Sequence, residues 1–446
     1  MDKVRAAAVE VVYDVFENGA YANVALVQKL RKGDYSDIDR RFMTELVYGT
    51  VKAMGTLDWI LRQYVSRPVS KIQPYIRAIL RVGIYQLRYL EKVPAAAVCN
   101  ESVEIAKKYG NAGTVKFVNA VLRNVVRNPE KAVLPDGKGK ATQHLALSSL
   151  HPEWIVRQWI KRFGYDAAER LCEFDNAPAV LSIRTNTLKT TRDELLQALQ
   201  NDGWETEPST FAPEGILCRG GHGSLDSSKL LAEGHFQVQD ESSMQVAHVL
   251  EPQPGEFIID ACSAPGGKTT HIAQLMQNKG RIAAFDLYDA KLKRIQENAE
   301  RLGITCIETI EDDARHIGER FKGQADRMLV DAPCSGMGVL RRRADARWRK
   351  TEKGNAELPA LQLEILDGAV PALKTGGILV YSTCTIEPAE NQEVVTEFLK
   401  RHSEFVLEKT GLFLPTKKRP DEDMVQFYPH EDGIDGFFIA RMRKVK

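Results

Sequence analysis

The sequence predicts a multidomain chain: an all-α N-terminal domain, a small α+β middle module, and a C-terminal α/β domain whose mostly parallel sheet carries helices on both faces. Three observations predict it. Apolar residues recur at spacings of three and four through most of residues 1–127. The chain then mixes short alternating strands with single helices up to about Asp240. From Glu241 onward, β-rich runs alternate regularly with amphipathic helical runs, which is the pattern of a parallel sheet. A length of 446 residues accommodates several domains of ordinary size.

In the first part, AAAVEVVYDVFENG, RRFMTELVYGTVKAMGTLDWILRQYV, YIRAILRVGIYQLRYL and KFVNAVLRNVVRN read as helices. Breakers separate them at Gly33, Pro68, Pro74, Pro94 and Gly110. These helices define a domain over residues 1–130. NPEKAVLPDGKGKAT, rich in Pro, Gly and Lys, marks a linker over 131–144. The middle module, 145–240, opens with the amphipathic stretch HPEWIVRQWIKRFG, with Pro152 in its first turn. The strand VLSIRTNTL follows, then the helix RDELLQALQNDG and the short strands GILCRG and HFQVQD. In the last domain, 241–446, the strands are FIIDAC, RIAAFDL, ITCIETIEDD, DRMLVDAPC, GGILVYSTC and GFFIARMRK. The helices between them include THIAQLMQ, AKLKRIQENAERLG and LPALQLEILDGAVPALK.

Composition narrows the function classes. The chain is 43% hydrophobic and 27% charged, as a globular protein is, and no apolar run is long enough to cross a bilayer. The N-terminal run is interrupted by Glu10, so no secretory signal is expected. The seven cysteines are odd in number, dispersed and never in C-x-x-C spacing. That argues against a disulfide framework or a structural zinc site and for a reducing cytoplasm. Residues 1–130 hold 20 Lys and Arg against 13 Asp and Glu, an excess of +7 that leaves −6 for the remainder. A basic first domain points to a polyanionic partner, and a solvated helical surface explains the same charge equally well.

FIIDACSAPGGKTTH (257–271) is a strand that turns through glycines into a helix, the arrangement that binds nucleotide-like ligands in α/β proteins. A P-loop would need a glycine where Cys262 stands, and a dinucleotide fingerprint would need spaced rather than adjacent glycines. S-adenosylmethionine has no phosphate and asks only for a close backbone turn with acidic partners. Such partners end successive strands at Asp260, Asp286 and Asp331, with Asp313 just beyond a further strand. One such aspartate is usually a helix cap; four in succession fit a ligand better.

DAPCSG (331–336) and YSTCT (381–385) place Cys334 and Cys384 at the ends of strands expected to be neighbours, about 4.8 Å apart. Two thiols beside a methyl donor suit attack on a poorly nucleophilic carbon such as C5 of cytosine, which becomes enamine-like once a thiolate adds at C6. A buried small hydrophobe is the ordinary reading of a single cysteine. It is retained for Cys99, Cys172, Cys218 and Cys306, and Cys262 needs no reactive role.

ACSAPGGK, DAPCSG and YSTC resemble the motifs of the NOL1/NOP2/Sun family of RNA cytosine-C5 methyltransferases. FQVQDESSMQVA, HPEWIVRQWIKRFG, LSIRTNTLK and DGFFIAR resemble its bacterial Sun branch, whose N-terminal domain has a NusB-type RNA-binding fold. The resemblance covers nearly the whole chain. It implies a Rossmann-like class I methyltransferase domain and an S-adenosylmethionine site at Cys262, Ser263, Ala264, Pro265, Gly266, Gly267, Lys268, Asp286, Asp313 and Asp331. It further implies that Cys384 bonds to C6, that Cys334 is needed for product release, and that Asp331 also hydrogen-bonds the base. Ser263 departs from the alanine usual there. The implied substrate is 16S ribosomal RNA of the small subunit; a monomer with no metal and no membrane attachment is expected.

A target base must be unpaired or flipped out to be reached. VLRRRADARWRK places Arg341, Arg342 and Arg343, with Arg347, Arg349 and Lys350, around Trp348, and this cluster is expected to hold RNA phosphates and a stacked base. Two rival functions compete: a non-catalytic RNA-binding scaffold, and a methyltransferase for proteins or small molecules. Neither has a use for the paired cysteines.

Overall fold

The computed structural model describes residues 1–137, 139–221, 228–416 and 419–446. Lys138 of the expected linker and residues 222–227 of the expected middle module lie outside the described residues. The chain divides into two compact units, one of residues 1–177 with 340–351, the other of 178–339 with 352–446.

The first unit is helical. Its leading helices are Lys3–Glu17, Ala22–Lys32, Asp37–Arg62, Pro74–Tyr89, Ala95–Tyr109 and Ala112–Arg127. The breakers fall where expected: Gly33 and Gly110 close helices, Pro94 precedes one, and Pro74 opens another. Ser36 and Asp39 form a capping box that fixes the start of the longest helix. Met43, Leu46 and Leu57 on that helix are fully buried in the unit's core, each contributing roughly 1.5–3 kcal/mol of transfer free energy. This unit also holds the helices Ala141–Ser148, Glu153–Phe163 and Tyr165–Asn176. Ile155, Val156 and Trp159 bury the apolar stripe of the second of these.

The second unit holds two sheets. The small one has strands β1 (Leu181–Thr185), β2 (Glu205–Pro208), β3 (Gly215–Gly220) and β4 (Phe236–Val238) in the order β2-β3-β1-β4, all antiparallel. The helix Arg192–Asn201, started by a Thr191–Glu194 capping box, packs Leu195 and Leu199 against Ile183, Ile216 and Phe236.

The large sheet continues the strand count with β5 (Phe257–Asp260), β6 (Arg281–Asp286), β7 (Ile307–Glu311), β8 (Ala325–Asp331), β9 (Leu373–Thr383), β10 (Phe405–Leu407), β11 (Met424–Phe427) and β12 (Phe437–Lys444). Its order is β10-β12-β9-β8-β5-β6-β7, with β11 also paired to β12. Strands β5 to β9 run parallel, and β12 is antiparallel to β9. Separate apolar clusters cover the two faces, so the sheet is buried on both sides as a parallel sheet requires. Strand order reverses at β5, between β6 and β8. The carboxyl ends of these strands therefore flank the crevice where such sheets bind ligands.

Candidate active site

The turn after β5 is built for close backbone approach. Gly266 has φ +97°, and a Cβ there would lie 3.2 Å from the Ile295 side chain. The Gly266 N–H donates to the Ser263 carbonyl (2.8 Å), and Ser263 Oγ donates to the Phe285 carbonyl at the same distance. The hydroxyl thus ties the turn to β6, which gives the unexpected serine a structural use. Residue 267 begins the helix Gly267–Leu275, whose N-cap Gly266 makes no side-chain cap bond to its first N–H groups.

Two side chains hold this helix start. Thr269 Oγ1 donates to Asp260 Oδ2 (2.7 Å), while Asp260 Oδ1 is buried with no hydrogen-bond partner among the described residues. Burial pushes the Asp260 carboxyl up to about 7, against the hydrogen bond from Thr269. From β1, the fully buried Arg184 donates to the Gly267 carbonyl (2.6 Å), Thr270 Oγ1 (3.0 Å), Gln274 Oε1 (3.3 Å) and Gln239. The small sheet therefore braces the turn directly. Sequence reasoning missed Arg184, although it stands inside the quoted phrase LSIRTNTLK.

Asp331 ends β8 opposite Ser382 of β9. Its Oδ2 accepts from Lys268 Nζ (2.7 Å) and its Oδ1 from Ser382 Oγ (2.8 Å). Burial works against the Lys268 ammonium, but Asp331 more than offsets it and the net shift is upward, with a Cys384 thiolate adding to it. Asp286 at the end of β6 accepts from the Tyr288 N–H (3.1 Å) and pairs with Lys291 (3.2 Å). Asp313 pairs with Arg315 (2.7 Å), which holds its carboxyl below the ordinary range. The buried unpartnered oxygen of Asp260 fits a ligand that brings its own donors to the turn.

The two expected cysteines meet. Cys334 Sγ lies 3.4 Å from Cys384 Sγ, both half-buried. The hydrogen bond with Cys384, then burial, then the charge of a Cys384 thiolate hold the Cys334 thiol well above its ordinary range. All seven cysteines are free.

Buried polar side chains fix the two cysteine loops to each other. Glu390 accepts from the Ser335 N–H (2.8 Å) and from Gln362 Nε2 (3.1 Å), and Gln362 also donates to the Pro333 carbonyl (3.0 Å). Ser335 Oγ and Thr385 Oγ1 bond at 2.8 Å, and Asn391 Nδ2 donates to the Thr385 carbonyl (3.0 Å). The Gly338 N–H donates to the Cys384 carbonyl (3.1 Å) and its own carbonyl accepts from Gly436 (2.8 Å). A Cβ at Gly338 would sit 2.2 Å from the Gly436 carbonyl oxygen, so this crossing needs glycine. Gln362, Glu390, Asn391 and Gly338 were not singled out from the sequence. The usable signal was Glu390-Asn391, two polar residues directly before an apolar-periodic helix.

The basic cluster is placed differently from the expectation. Leu340–Thr351 belongs to the first unit. Arg347 is fully buried and donates to the Leu150 carbonyl and Asn176 Oδ1, both at 3.0 Å. Trp348 Nε1 donates to the Val51 carbonyl (2.7 Å), and its ring lies against Gly55. Arg349 donates to the Gly19 carbonyl (2.9 Å) and pairs with Asp345 (3.0 Å). The Arg341 guanidinium lies over the Phe174 ring, 4.1 Å from its centre. Trp348 thus anchors its own segment to the long helix through its N–H and one ring contact. Arg342 is half-buried and Arg343 is exposed.

Comparison with known proteins agrees with this architecture. Residues 247–443 match the family model described as 16S rRNA methyltransferase RsmB/F, residues 2–127 match the NusB family, and 151–222 match the RsmF/B-like ferredoxin-like domain. The chain is 41% identical to the probable ribosomal RNA small subunit methyltransferase B of Bacillus subtilis, over 99% of this chain and 98% of that one. It is 38% identical to the protein of the same name from Synechocystis, over the full length of both. Among solved structures, PH0851 superimposes with a TM-score of 0.86 at 29% identity, covering 100% of this chain and 99% of that one. NSun6 from Pyrococcus horikoshii, solved with SFG, gives a TM-score of 0.60 at 28% identity over 66% of this chain and 98% of that one. With a helical NusB domain, a ferredoxin-like module and a parallel-sheet methyltransferase domain, the chain belongs to the ribosomal RNA small subunit methyltransferase B family.

Proposed function

We propose that this protein methylates C5 of a cytosine in 16S ribosomal RNA, using S-adenosylmethionine and a transient bond between Cys384 and C6 of the base. The observation that carries the proposal is the pair of sulfurs 3.4 Å apart beside the Lys268–Asp331 ion pair. Cys262 to Lys268, with Asp286, Asp313 and Asp331, would hold the methyl donor, the carboxylates facing its ribose, adenine and amino acid groups. Bound S-adenosylmethionine supplies an electrophilic methyl group on a sulfonium.

The protein's part is to make C5 nucleophilic and then to restore the ring. The Lys268 ammonium attracts a thiolate at Cys384. That thiolate bonds to C6, and the electron pair of the C5–C6 bond is released toward C5. Asp331, placed by Lys268 and Ser382, hydrogen-bonds the base edge as the ring gains electrons. After methylation the C5 proton must leave so that the Cys384–C6 bond breaks and the double bond returns. Cys334 is the base for that step. In the resting site it is kept protonated mainly by its neighbour. Once Cys384 is bonded to carbon, its negative charge is gone and Cys334 ionises more readily. The pair is therefore ordered in time by its own electrostatics.

The basic N-terminal domain, with Arg342 and Arg343, is the proposed RNA-holding surface, and the cytoplasm the proposed compartment. A tritiated-methyl transfer assay on 16S RNA tests the function, followed by mapping of 5-methylcytosine in RNA from cells lacking the protein. One cytosine that loses its methyl group in those cells is the expected result. Transfer to adenine or guanine, or to protein, would refute the proposal.

A further inference from the structure

Three side chains outside the catalytic crevice converge where the small sheet meets the large one. Glu214 precedes β3, His248 lies on the helix Glu241–Leu250, and His271 lies on the helix that follows the ligand turn. Glu214 Oε1 is 3.0 Å from His248 Nε2 and 2.8 Å from His271 Nε2, and ligand atoms of all three residues lie within 4.8 Å of one another. The two rings stand nearly perpendicular, 84° apart with centres separated by 5.3 Å, so both nitrogens point at one carboxylate without the rings colliding.

His271 is the informative member. Its side chain has no exposure, and neither ring nitrogen makes a hydrogen bond of acceptable geometry despite the short approach to Glu214. A buried imidazole whose nitrogens lack a well-formed hydrogen bond, set against a buried carboxylate, offers ligand atoms to a cation that both can share. Arg184 is the charge that opposes a cation here, and it is already committed to Gly267, Thr270, Gln239 and Gln274.

We propose that Glu214, His248 and His271 form a binding site for a divalent cation of the zinc class, which clamps the small sheet to the helix carrying the cofactor turn. Two imidazoles and one carboxylate are a donor set for zinc or cobalt rather than for magnesium or calcium, which prefer oxygen. Three protein ligands leave a fourth position for water. The His248 side chain, 19% exposed, gives the ion a way in, while Glu214 and His271 are sealed. Cysteine spacing in the sequence could not have revealed this site, because its ligands are histidines and a glutamate far apart along the chain.

Cobalt titration of the untagged full-length protein tests the proposal. Cys334 and Cys384 are both replaced by Ser for this experiment, since two adjacent thiols would bind cobalt themselves. One equivalent should bind with visible d–d absorption and no sulfur-to-cobalt charge-transfer band, and zinc should displace it. His248→Ala and Glu214→Gln should each weaken binding by roughly tenfold or more, and zinc should raise the melting temperature of the parent but not of His248→Ala. His248 lies on the accessible side, so His248→Ala should fold normally without metal, and its circular dichroism checks this. Failure of the parent to bind cobalt, or equal affinity in parent and variants, would overturn the proposal and leave the triad as a proton-linked ion pair.

Discussion

Removing one cysteine should change the acidity of the other. With sulfurs 3.4 Å apart, two simultaneous thiolates would repel by about 5 kcal/mol at an effective dielectric of about 20. This is several times thermal energy, so both sites do not ionise together near neutral pH. Hydrogen bonding with Cys384 is the largest influence raising the Cys334 thiol and burial the second. Cys384→Ala removes the first and leaves the second. The pH profile of iodoacetamide labelling, read peptide by peptide by mass spectrometry, measures this. In the unaltered protein one sulfur of the pair should label near neutral pH and the other only under strongly alkaline conditions. In Cys384→Ala, Cys334 should label at distinctly lower pH than before. Identical Cys334 profiles in the two proteins would refute the proposed ordering of the two thiols.

Other substitutions test the surrounding structure. The raised carboxyl of Asp260, about 7 against an ordinary 3.8, contributes stability below its unfolded pKa that is lost as pH rises through 7. Asp260→Asn should therefore flatten the fall in melting temperature between pH 4 and 7, by an amount on the order of a few kcal/mol, measured without cofactor. Gly266→Ala forces a Cβ into a left-handed turn against Ile295. It should cost about 1–2 kcal/mol and weaken S-adenosylmethionine binding in calorimetry while RNA binding persists. Trp348→Ala removes the hydrogen bond to Val51 and the packing on Gly55. It should destabilise the first unit by about 3 kcal/mol and speed proteolysis within Leu340–Thr351, and a variant as resistant as the parent would show that the anchor is not needed.

Strands β5, β6 and β8 were legible because they are apolar runs closed by aspartates, and such ends announce themselves residue by residue. Cys334 and Cys384 were legible as a pair because β8 and β9 were expected to be neighbours, as they are. Strand β2 was not, since Glu205–Pro208 is polar and pairs along the sheet edge without an apolar face. The short strands β10 and β11 were missed as well; they take their conformation from antiparallel pairing with β12. The role of Trp348 was hidden for another reason. A tryptophan among arginines reads as an RNA platform until the partners of its ring and N–H are known, and those partners, Gly55 and Val51, stand nearly 300 residues earlier in the chain. Arg184 and Glu390 were hidden in the same way, because a buried charge shows its purpose only through distant hydrogen bonds.

The proposed mechanism has Cys384 bond to the base and Cys334 release it. Incubating Cys334→Ala with 16S RNA and S-adenosylmethionine, then running a denaturing gel, addresses it most directly. A protein–RNA band that resists denaturation is expected in Cys334→Ala and not in Cys384→Ala. A stable band in Cys384→Ala, or none in Cys334→Ala, would contradict it.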